Sequence, residues 1–419
     1  MKNPSLRPVS RRSALKNLGI LSLGGLMGSS ISSCNLFSSS NGGKIPTLTS
    51  GYIPILDSVP VIVAYAKGFF EEYNVAASKP TLIRSWPALM EAFVSKQILL
   101  THILLPQVIF LKYAQEVNLK SIAFNHTNVV AMLVAKELNG IEDLGGQIVG
   151  CPTWWAPHTG IFQDVLRKAG LKPVVGKTKD ELAPDEVGFR VVAPPDMAES
   201  LKSKAIAGCT VSEPFGAASE VLAEAKLIKM SGDVWPDHPC CQSVLLEETI
   251  NIDRDWAQRL TNAIYKAAIW CHQNREELAE LLGKDGGGYF PMPVKVVRKA
   301  LLDQDISKYG PDGTGAIMHT HWDVKRVGFM PYPFPSSFDT TMDLMKRMVV
   351  DPSSALPENI RGLSGKQVAE SIVDYDLAVN GFNEAKGGEV FGITGSDEYK
   401  REETYDVLIK SENEEEQPQ

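Results

Sequence analysis

The sequence lacks the local motifs that mark most nucleotide-dependent and hydrolytic enzymes. It contains no P-loop, no GxGxxG segment after a predicted strand and no GxSxG nucleophile motif. These absences give no support to ATP- or NAD-dependent roles or to the common serine-hydrolase class.

Positive charge is also scarce beyond the N-terminus. The chain of 419 residues has a net charge of −8. Its first 33 residues include basic residues but no acidic ones. The remainder is therefore more acidic than the whole, which argues against a nucleic-acid partner. The length suits two lobes rather than one core, and 44% apolar residues suffice to bury both.

The six cysteines include no CxxC pair. One of them, Cys34, belongs to a processing signal described next. The cysteine spacing therefore gives little support to a zinc site or a redox motif. Neighbouring cysteines bridge each other only with strain, so we expect buried thiols, with one disulfide as the alternative. The five cysteines concerned are Cys151, Cys209, Cys240, Cys241 and Cys271.

No apolar run near the N-terminus is long enough for a stable transmembrane helix. Residues 10–34 contain paired arginines, a short glycine-rich apolar run and then small residues, which predicts a twin-arginine-type export signal over residues 1–33. Ile31-Ser32-Ser33 before Cys34 resembles a lipoprotein processing site, so we expect lipidation of Cys34 and membrane anchoring; the alternative is a free surface cysteine. Residues 34–46, rich in Ser, Gly and Asn, then form a flexible tether.

The first ordered unit is predicted over residues 49–73, as a short strand, a tight loop and a helix. Asp57 or Ser58 is the expected N-cap, with Pro60 near the first helical position. Unpaired amide groups at such a helix start can hold a small polar or anionic ligand. The alternative is an ordinary capped strand-to-helix unit.

Further strand and helix patterns alternate along the chain, which predicts an α/β fold with mostly parallel sheets. Predicted strands at 81–86 and 98–105 bring Trp86 and His102 towards Asp57, because ligands collect beyond the carboxyl ends of such strands. Trp86 as a core residue is the alternative.

The second half of the pattern repeats this logic. Residues 121–135 read as a crossing between lobes, and residues 144–160 form another strand, loop and helix start that faces the first across a cleft. A strand before Pro214 delivers Glu213 to its carboxyl end. Trp154 and Trp155 fit a cleft wall or a packed loop equally well. His319, His321 and Asp323 fit metal ligands on one face of a strand or, alternatively, a surface loop.

Several segments together resemble the substrate-binding proteins of ABC importers for nitrate, sulfonate and bicarbonate, above all the nitrate/bicarbonate branch. The similar segments include Gly-Tyr-Ile-Pro-Ile-Leu-Asp-Ser-Val-Pro at 51–60, Thr-His-Ile-Leu-Leu-Pro at 101–106, Leu-Gly-Gly-Gln-Ile-Val-Gly-Cys-Pro at 144–152, Ser-Glu-Pro-Phe at 212–215, Trp-Pro-Asp-His-Pro at 235–239 and Tyr-Pro-Phe-Pro-Ser-Ser at 332–337. The resemblance spans about residues 45–345. It implies a two-lobe, type II periplasmic-binding-protein-like fold that closes on a ligand in the cleft between the lobes.

The resemblance also implies roles for individual residues. Trp86 matches a tryptophan that lines the anion pocket, and His158 matches a histidine of the second-lobe loop. Glu213 stands where nitrate binders have lysine and bicarbonate binders have an acidic residue that recruits calcium, so calcium is an implied companion of the ligand. Asn128 and Val129 stand near a family glutamine. The departures at Glu213 and Val129 argue against nitrate itself.

The predicted organisation is lobe I from residues 47–126 and 240–400, lobe II from 127–239, and an acidic tail over 401–419. The predicted function is that of an exported, lipid-anchored, non-enzymatic receptor that delivers a small ligand to an ABC permease and its ATPase. Two alternatives remain: an exported enzyme on the same fold, like the pyrimidine-synthesising relatives, or a ligand-sensing partner of a membrane receptor. The predicted ligand-binding residues are Asp57, Ser58, Trp86, His102, Asn128, Trp154, His158 and Glu213.

Overall fold

The computed structural model describes residues 47–322, 325–393 and 400–410. The predicted signal segment, Cys34 and the tether lie outside the described residues, as do Asp323 and residues 411–419. None of the described helices is both long and apolar enough to cross a membrane.

Thirteen strands are found in the described part of the chain. They are β1 Gly51–Tyr52, β2 Thr81–Leu82, β3 Thr101–Leu104, β4 Leu119–Phe124, β5 Thr127–Asn128, β6 Val130–Val134, β7 Gln147–Cys151, β8 Lys172–Val175, β9 Glu186–Val191, β10 Gly208–Ser212, β11 Lys226–Met230, β12 Cys241–Leu246 and β13 Val327–Gly328.

Eighteen α-helices accompany these strands in the same described residues. They are α1 Val59–Ala66, α2 Phe69–Glu72, α3 Trp86–Val94, α4 Leu105–Ala114, α5 Pro157–Lys168, α6 Met197–Lys202, α7 Phe215–Leu222, α8 Ser231–Val234, α9 Glu247–Ile252, α10 Arg254–Gln273, α11 Arg275–Leu282, α12 Val294–Leu302, α13 Ile306–Tyr309, α14 Ser336–Arg347, α15 Glu358–Arg361, α16 Gly365–Ile372, α17 Tyr375–Glu384 and α18 Gly387–Phe391.

The larger sheet has six strands in the order β11-β6-β10-β7-β9-β8. Strands β10, β7, β9 and β8 run parallel, whereas β6 is antiparallel to both β10 and β11. Strand β11 therefore runs in the same direction as these four, and the predicted parallel arrangement is right for five of the six strands. It fails at β6 because the chain enters this sheet directly from the crossing segment.

The smaller sheet is built around β12, which lies antiparallel between β3 and β4. Parallel contacts extend it towards β1 and β2, through a bridge from Ser50 to Leu100 and the pairing of Gly51 with Thr81. A mostly parallel sheet was expected here. Strands β1 to β4 do share one direction, and the exception is β12, which lies almost 140 residues downstream of β3 and returns antiparallel to occupy the centre.

The loop before α1 differs from the predicted open helix start. The Ser58 hydroxyl donates to the Ile55 carbonyl at 2.8 Å instead of capping the helix. The Asp57 carboxylate does not cap the helix either. The Leu56 amide donates to the Glu213 carbonyl at 2.8 Å, and the Ser58 amide donates to Ile55. These amides are already bonded, so the loop's side chains rather than its amides are what it offers a ligand.

Residues 400–410 run extended along the fold instead of forming the start of a free acidic tail. Alternate side chains point inward, and Tyr405 Oη donates to Asp164 at 2.6 Å. The Trp235 indole donates to Glu403 at 2.6 Å, and the Asp406 amide donates to the Val234 carbonyl. The composition of residues 401–419 suggested a tail because seven acidic residues outnumber four apolar ones, but the alternation places Tyr405, Val407 and Ile409 on the core.

Candidate functional site

A fully buried ion pair lies where the β1–α1 loop meets the segment after β4. Asp57 Oδ1 is 3.0 Å from His126 Nε2, and both side chains are completely buried. The Cys240 thiol donates to the same Asp57 oxygen at 3.4 Å. The Cys241 amide nitrogen lies 3.2 Å from the same His126 Nε2 atom. The β1–α1 loop, the segment after β4 and the start of β12 thus meet around the Asp57 carboxylate.

The charges of this pair stabilise each other. Burial alone would raise the pKa of Asp57, but His126 and then His102 hold it well below its usual range. Burial would lower the pKa of His126, yet the Asp57 charge and hydrogen bond raise it to about 10. We therefore treat the pair as carboxylate and imidazolium at neutral pH.

Two aromatic rings extend this pair towards the start of α3. His102, in β3, accepts the Ile53 amide on Nε2 at 3.1 Å. Its ring centroid lies 5.5 Å from that of Trp86, in an edge-on arrangement. Burial lowers the pKa of His102 to about 4, although Asp57 opposes this shift. His102 is therefore neutral, and because Nε2 accepts, its proton must sit on Nδ1.

The larger sheet contributes one ring to the same place. His158 is in the first turn of α5, directly after the loop that follows β7, and its Nδ1 is 3.8 Å from the Cys240 thiol. Nearby, the Gln107 amide of α4 donates to the Thr153 hydroxyl at 3.2 Å. The two predicted strand-to-helix units therefore do face each other, and side chains of both sheets meet here.

We call this group the polar cluster. Its members are Asp57, Trp86, His102, His126, His158, Cys240 and Cys241.

Several buried polar atoms of the polar cluster have no hydrogen-bond partner among the described residues. A buried unpaired donor or acceptor costs roughly 1–3 kcal/mol, so such a concentration at one place requires an explanation. A bound ligand that supplies the missing partners is the simplest. The atoms concerned are Asp57 Oδ2, Trp86 Nε1, His102 Nδ1, His126 Nδ1 and His158 Nε2.

Four of the predicted ligand residues lie outside the polar cluster, and Asn128 and Ser58 are two of them. Asn128 has a positive φ of 67°, and its side-chain oxygen accepts the Asp237 amide at 2.9 Å. Its carbonyl accepts the Ser231 hydroxyl. The geometry assigns it to the crossing between the sheets. Ser58 adjoins Asp57 but bonds only Ile55 in the described structure.

Glu213 also differs from its predicted role. Its carboxylate accepts the Arg326 Nε–H at 2.6 Å and the Ala217 amide at 2.8 Å, and it is fully buried. Burial lowers the pKa of Arg326, but Glu213 and Glu220 outweigh this effect and raise it. A carboxylate neutralised in this way is a poor calcium ligand. The geometry therefore disfavours the predicted calcium site at Glu213. The sequence did not reveal the pairing with Arg326.

The remaining candidates are structural in this geometry. Trp154 is half-buried against the apolar core, and the described contacts of the polar cluster do not include it. Trp155 donates to the Ser354 carbonyl and stacks on Phe110. His319 contacts the carboxylates of Asp233 and Asp406 and stacks on Trp322.

Three members of the polar cluster were not predicted. His126 belongs to the polar tetrad Asn-His-Thr-Asn at 125–128, which interrupts an apolar run, and that interruption was the available signal. Cys240 and Cys241 follow directly on the Trp-Pro-Asp-His-Pro segment. All five described cysteines are free and buried, as expected.

Comparison with known proteins agrees with this geometry. The model of the NMT1-like family matches residues 42–283, more than half of the chain. The chain belongs to the NMT1-like family. It is 26% identical over 278 residues to the nitrate/nitrite binding protein NrtA of Nostoc sp. strain PCC 7120, with 58% of this chain and 59% of the relative covered.

Two further members of the comparison support the same grouping. Bicarbonate-binding protein CmpA of Synechococcus sp. strain PCC 6301 is 24% identical over 311 residues, covering 64% of this chain and 63% of CmpA. The chain thus spans less than two thirds of the length of these relatives. The crystal structure of the periplasmic nitrate-binding protein NrtA from Synechocystis PCC 6803 matches with a TM-score of 0.69 at 19% identity, over 86% of this chain and 94% of that one. The predicted periplasmic-binding-protein-like α/β fold is confirmed.

Proposed function

We propose that this member of the NMT1-like family is the substrate-binding component of an ABC importer and captures a small oxyanion at the polar cluster. Nitrate- and bicarbonate-binding proteins among its relatives support the class of ligand. Capture requires no covalent chemistry, because affinity arises from hydrogen bonds and from closure of the two lobes.

The observation that carries the proposal is a pair of buried donors without partners. Trp86 Nε1 can only donate, and His102 Nδ1 must donate because Nε2 already accepts from Ile53. They belong to rings 5.5 Å apart. The Asp57 carboxylate keeps His126 protonated, so His126 places a positive charge near these donors. Asp57 balances that charge. Donors near a compensated cation suit the oxygen atoms of a small anion.

The chemistry also ranks the candidate ligands. Asp57 Oδ2 is an acceptor without a partner among the described residues. Bicarbonate carries one hydroxyl that can donate to it, whereas nitrate carries no hydrogen. We therefore expect bicarbonate to bind more tightly than nitrate, with short-chain alkanesulfonates weaker because the site is fully enclosed.

A thermal-shift panel of nitrate, bicarbonate and ethanesulfonate on the purified protein, followed by deletion of the gene and uptake measurements, tests the role. At 100 times the dissociation constant, a true ligand stabilises the protein by about 2.7 kcal/mol. Stabilisation by one panel member and loss of its uptake on deletion would support the proposal. No stabilisation by any member, or undiminished uptake, would reject it.

Delivery to a permease is consistent with a protein that is exported and lipid-anchored through Cys34. Mass spectrometry of the membrane fraction should find a mature N-terminus at diacylated Cys34. A Cys34→Ala variant should be released or left unprocessed. An unmodified Cys34 in mature protein would reject the anchor while leaving ligand capture untouched.

A further inference from the structure

The anionic side of the polar cluster has a composition that an oxyanion receptor does not need. Asp57, His126, Cys240 and Cys241 each direct one carboxylate, imidazole or thiol donor atom into a space where all four lie within 4.8 Å of one another. All four side chains are buried. Two thiols, an imidazole and a carboxylate form a typical donor set for a tetrahedral zinc-class cation.

The spacing of these atoms fits such an ion. Bonds of 2.0–2.3 Å to a tetrahedral zinc place neighbouring ligand atoms about 3.3–3.8 Å apart. Here Asp57 Oδ1 lies 3.0 Å from His126 Nε2 and 3.4 Å from Cys240 Sγ. These two distances are within a few tenths of an ångström of that range, and all four donor atoms lie within 4.8 Å of one another.

The backbone explains how adjacent cysteines can both contribute. Successive side chains within a strand point to opposite faces. Cys240, however, precedes β12, which begins at Cys241, so the strand alternation does not apply to this pair. Neighbouring groups also hold Asp57 in place. Asn125 donates to the Asp57 carbonyl at 2.9 Å and accepts from the Ser243 hydroxyl at 2.7 Å. Outer hydrogen bonds of this kind orient metal ligands.

We propose that Asp57, His126, Cys240 and Cys241 bind a thiophilic divalent cation of the zinc class. Binding replaces the thiol protons and the imidazolium proton, which pass to solvent, so affinity falls as the pH is lowered. The thiolates favour zinc over calcium or magnesium. This inference stands on the four ligands alone and does not require the protein to be an importer component.

Cobalt(II) is the probe, since tetrahedral thiolate sites give it intense visible d–d bands and near-ultraviolet sulfur-to-metal charge transfer. The full chain is stripped of metal, kept reduced, and both incubated with cobalt and refolded from urea with cobalt, because the ligands are buried. One equivalent of cobalt should produce both sets of bands, zinc should abolish them, and excess calcium should not.

Matched variants decide which residues are responsible. Cys240→Ser should lose about half of the charge-transfer intensity, and both Cys240→Ser and His126→Gln should weaken cobalt binding at least tenfold. Cys209→Ala, which removes a buried thiol of β10 in the other sheet, should keep them. Near-ultraviolet circular dichroism verifies folding, and Cys241→Ser provides a second variant if one of the first two fails to fold.

An octahedral, aqueous-type cobalt spectrum in refolded wild-type protein would overturn the proposal. So would a thiolate spectrum that keeps its full intensity in both Cys240→Ser and Cys241→Ser. Titration of the metal-free protein with bicarbonate measures oxyanion binding separately. Failure of the metal site and failure of the proposed function are therefore distinguishable.

Discussion

His158 Nδ1 lies 3.8 Å from Cys240 Sγ, which joins the first turn of α5 to the residue before β12. This contact is between the two sheets, and the rest of the polar cluster belongs to the smaller sheet and the segments beside it. The cluster is therefore complete only when the two sheets are together. Any ligand that needs groups from both sides must favour the closed arrangement.

Replacing Trp86 with Phe should weaken oxyanion binding without unfolding the protein. The substitution keeps an aromatic ring against His102 but removes an indole N–H that has no partner among the described residues. We expect about a tenfold loss of bicarbonate affinity, the value of one hydrogen bond, measured by calorimetry. Trp155→Phe is the matched control, because its indole donates to Ser354 and it should change stability only. Equal affinities of the wild type and Trp86→Phe would remove Trp86 from the site.

His102 should make stability depend on pH in a defined window. Burial lowers the pKa of His102 to about 4, whereas an unfolded histidine titrates near 6.5. As the pH falls from 6.5, the unfolded state takes up this proton first, so stability is lost until about pH 4 and then levels off. The loss is on the order of 3 kcal/mol.

Urea denaturation of the wild type and His102→Gln at pH 8 and pH 4.5 measures this effect. The difference between the two proteins cancels titrating groups that do not interact with His102, so it reports His102 together with Asp57 and His126, which face it. The variant should be less stable at pH 8, with the gap narrowing at pH 4.5. A gap that does not change with pH would show that His102 is not held neutral.

Removing the charge of Glu213 should destabilise the fold. Glu213→Gln leaves the buried Arg326 with Glu220 alone, and breaking a buried pair costs about 3 kcal/mol. Glu224→Gln removes an exposed partner of Lys136 and should change little. Chemical denaturation compares the two. A Glu213→Gln variant as stable as Glu224→Gln would contradict the assignment of Glu213 to the fold.

The segment 400–410 should contribute to stability. Tyr405→Ala removes a half-buried ring that lies 6.0 Å from Trp235 and donates to Asp164, at a cost of about 2 kcal/mol. Thr404→Ala, on the exposed side of the same extended segment, is the control. Identical unfolding midpoints for the two variants would indicate that this segment does not pack on the fold in solution.

Local patterns were enough to predict much of the fold. Strand-to-helix units after β1, β3 and β7 follow from short-range apolar spacing and proline positions, and they brought Asp57, Trp86, His102 and His158 to one place. Asp57, Trp86 and His158 follow strands and His102 lies within β3, so local patterns alone place each of them near the strand ends of its own sheet.

Long-range partners explain what was not predicted. His126 and Cys240 are 114 positions apart in sequence, and only the return of β12 to the centre of the smaller sheet brings them together. Arg326 reaches Glu213 from an equally distant segment. The alternation of side chains in residues 401–410 was visible in the sequence, but the acidic composition of the C-terminal segment led to the prediction of a tail. No local rule identifies such pairings.

Calorimetric titration of metal-free wild-type protein and His158→Ala with bicarbonate, side by side, tests the central claim most directly. His158 is the residue of the larger sheet that contacts the polar cluster through Cys240, and its Nε2 has no partner among the described residues. The account predicts saturable one-to-one binding to the wild type and at least a tenfold loss in the variant, with both proteins folded. Absence of binding to the wild type, or equal affinity for the two proteins, would contradict it.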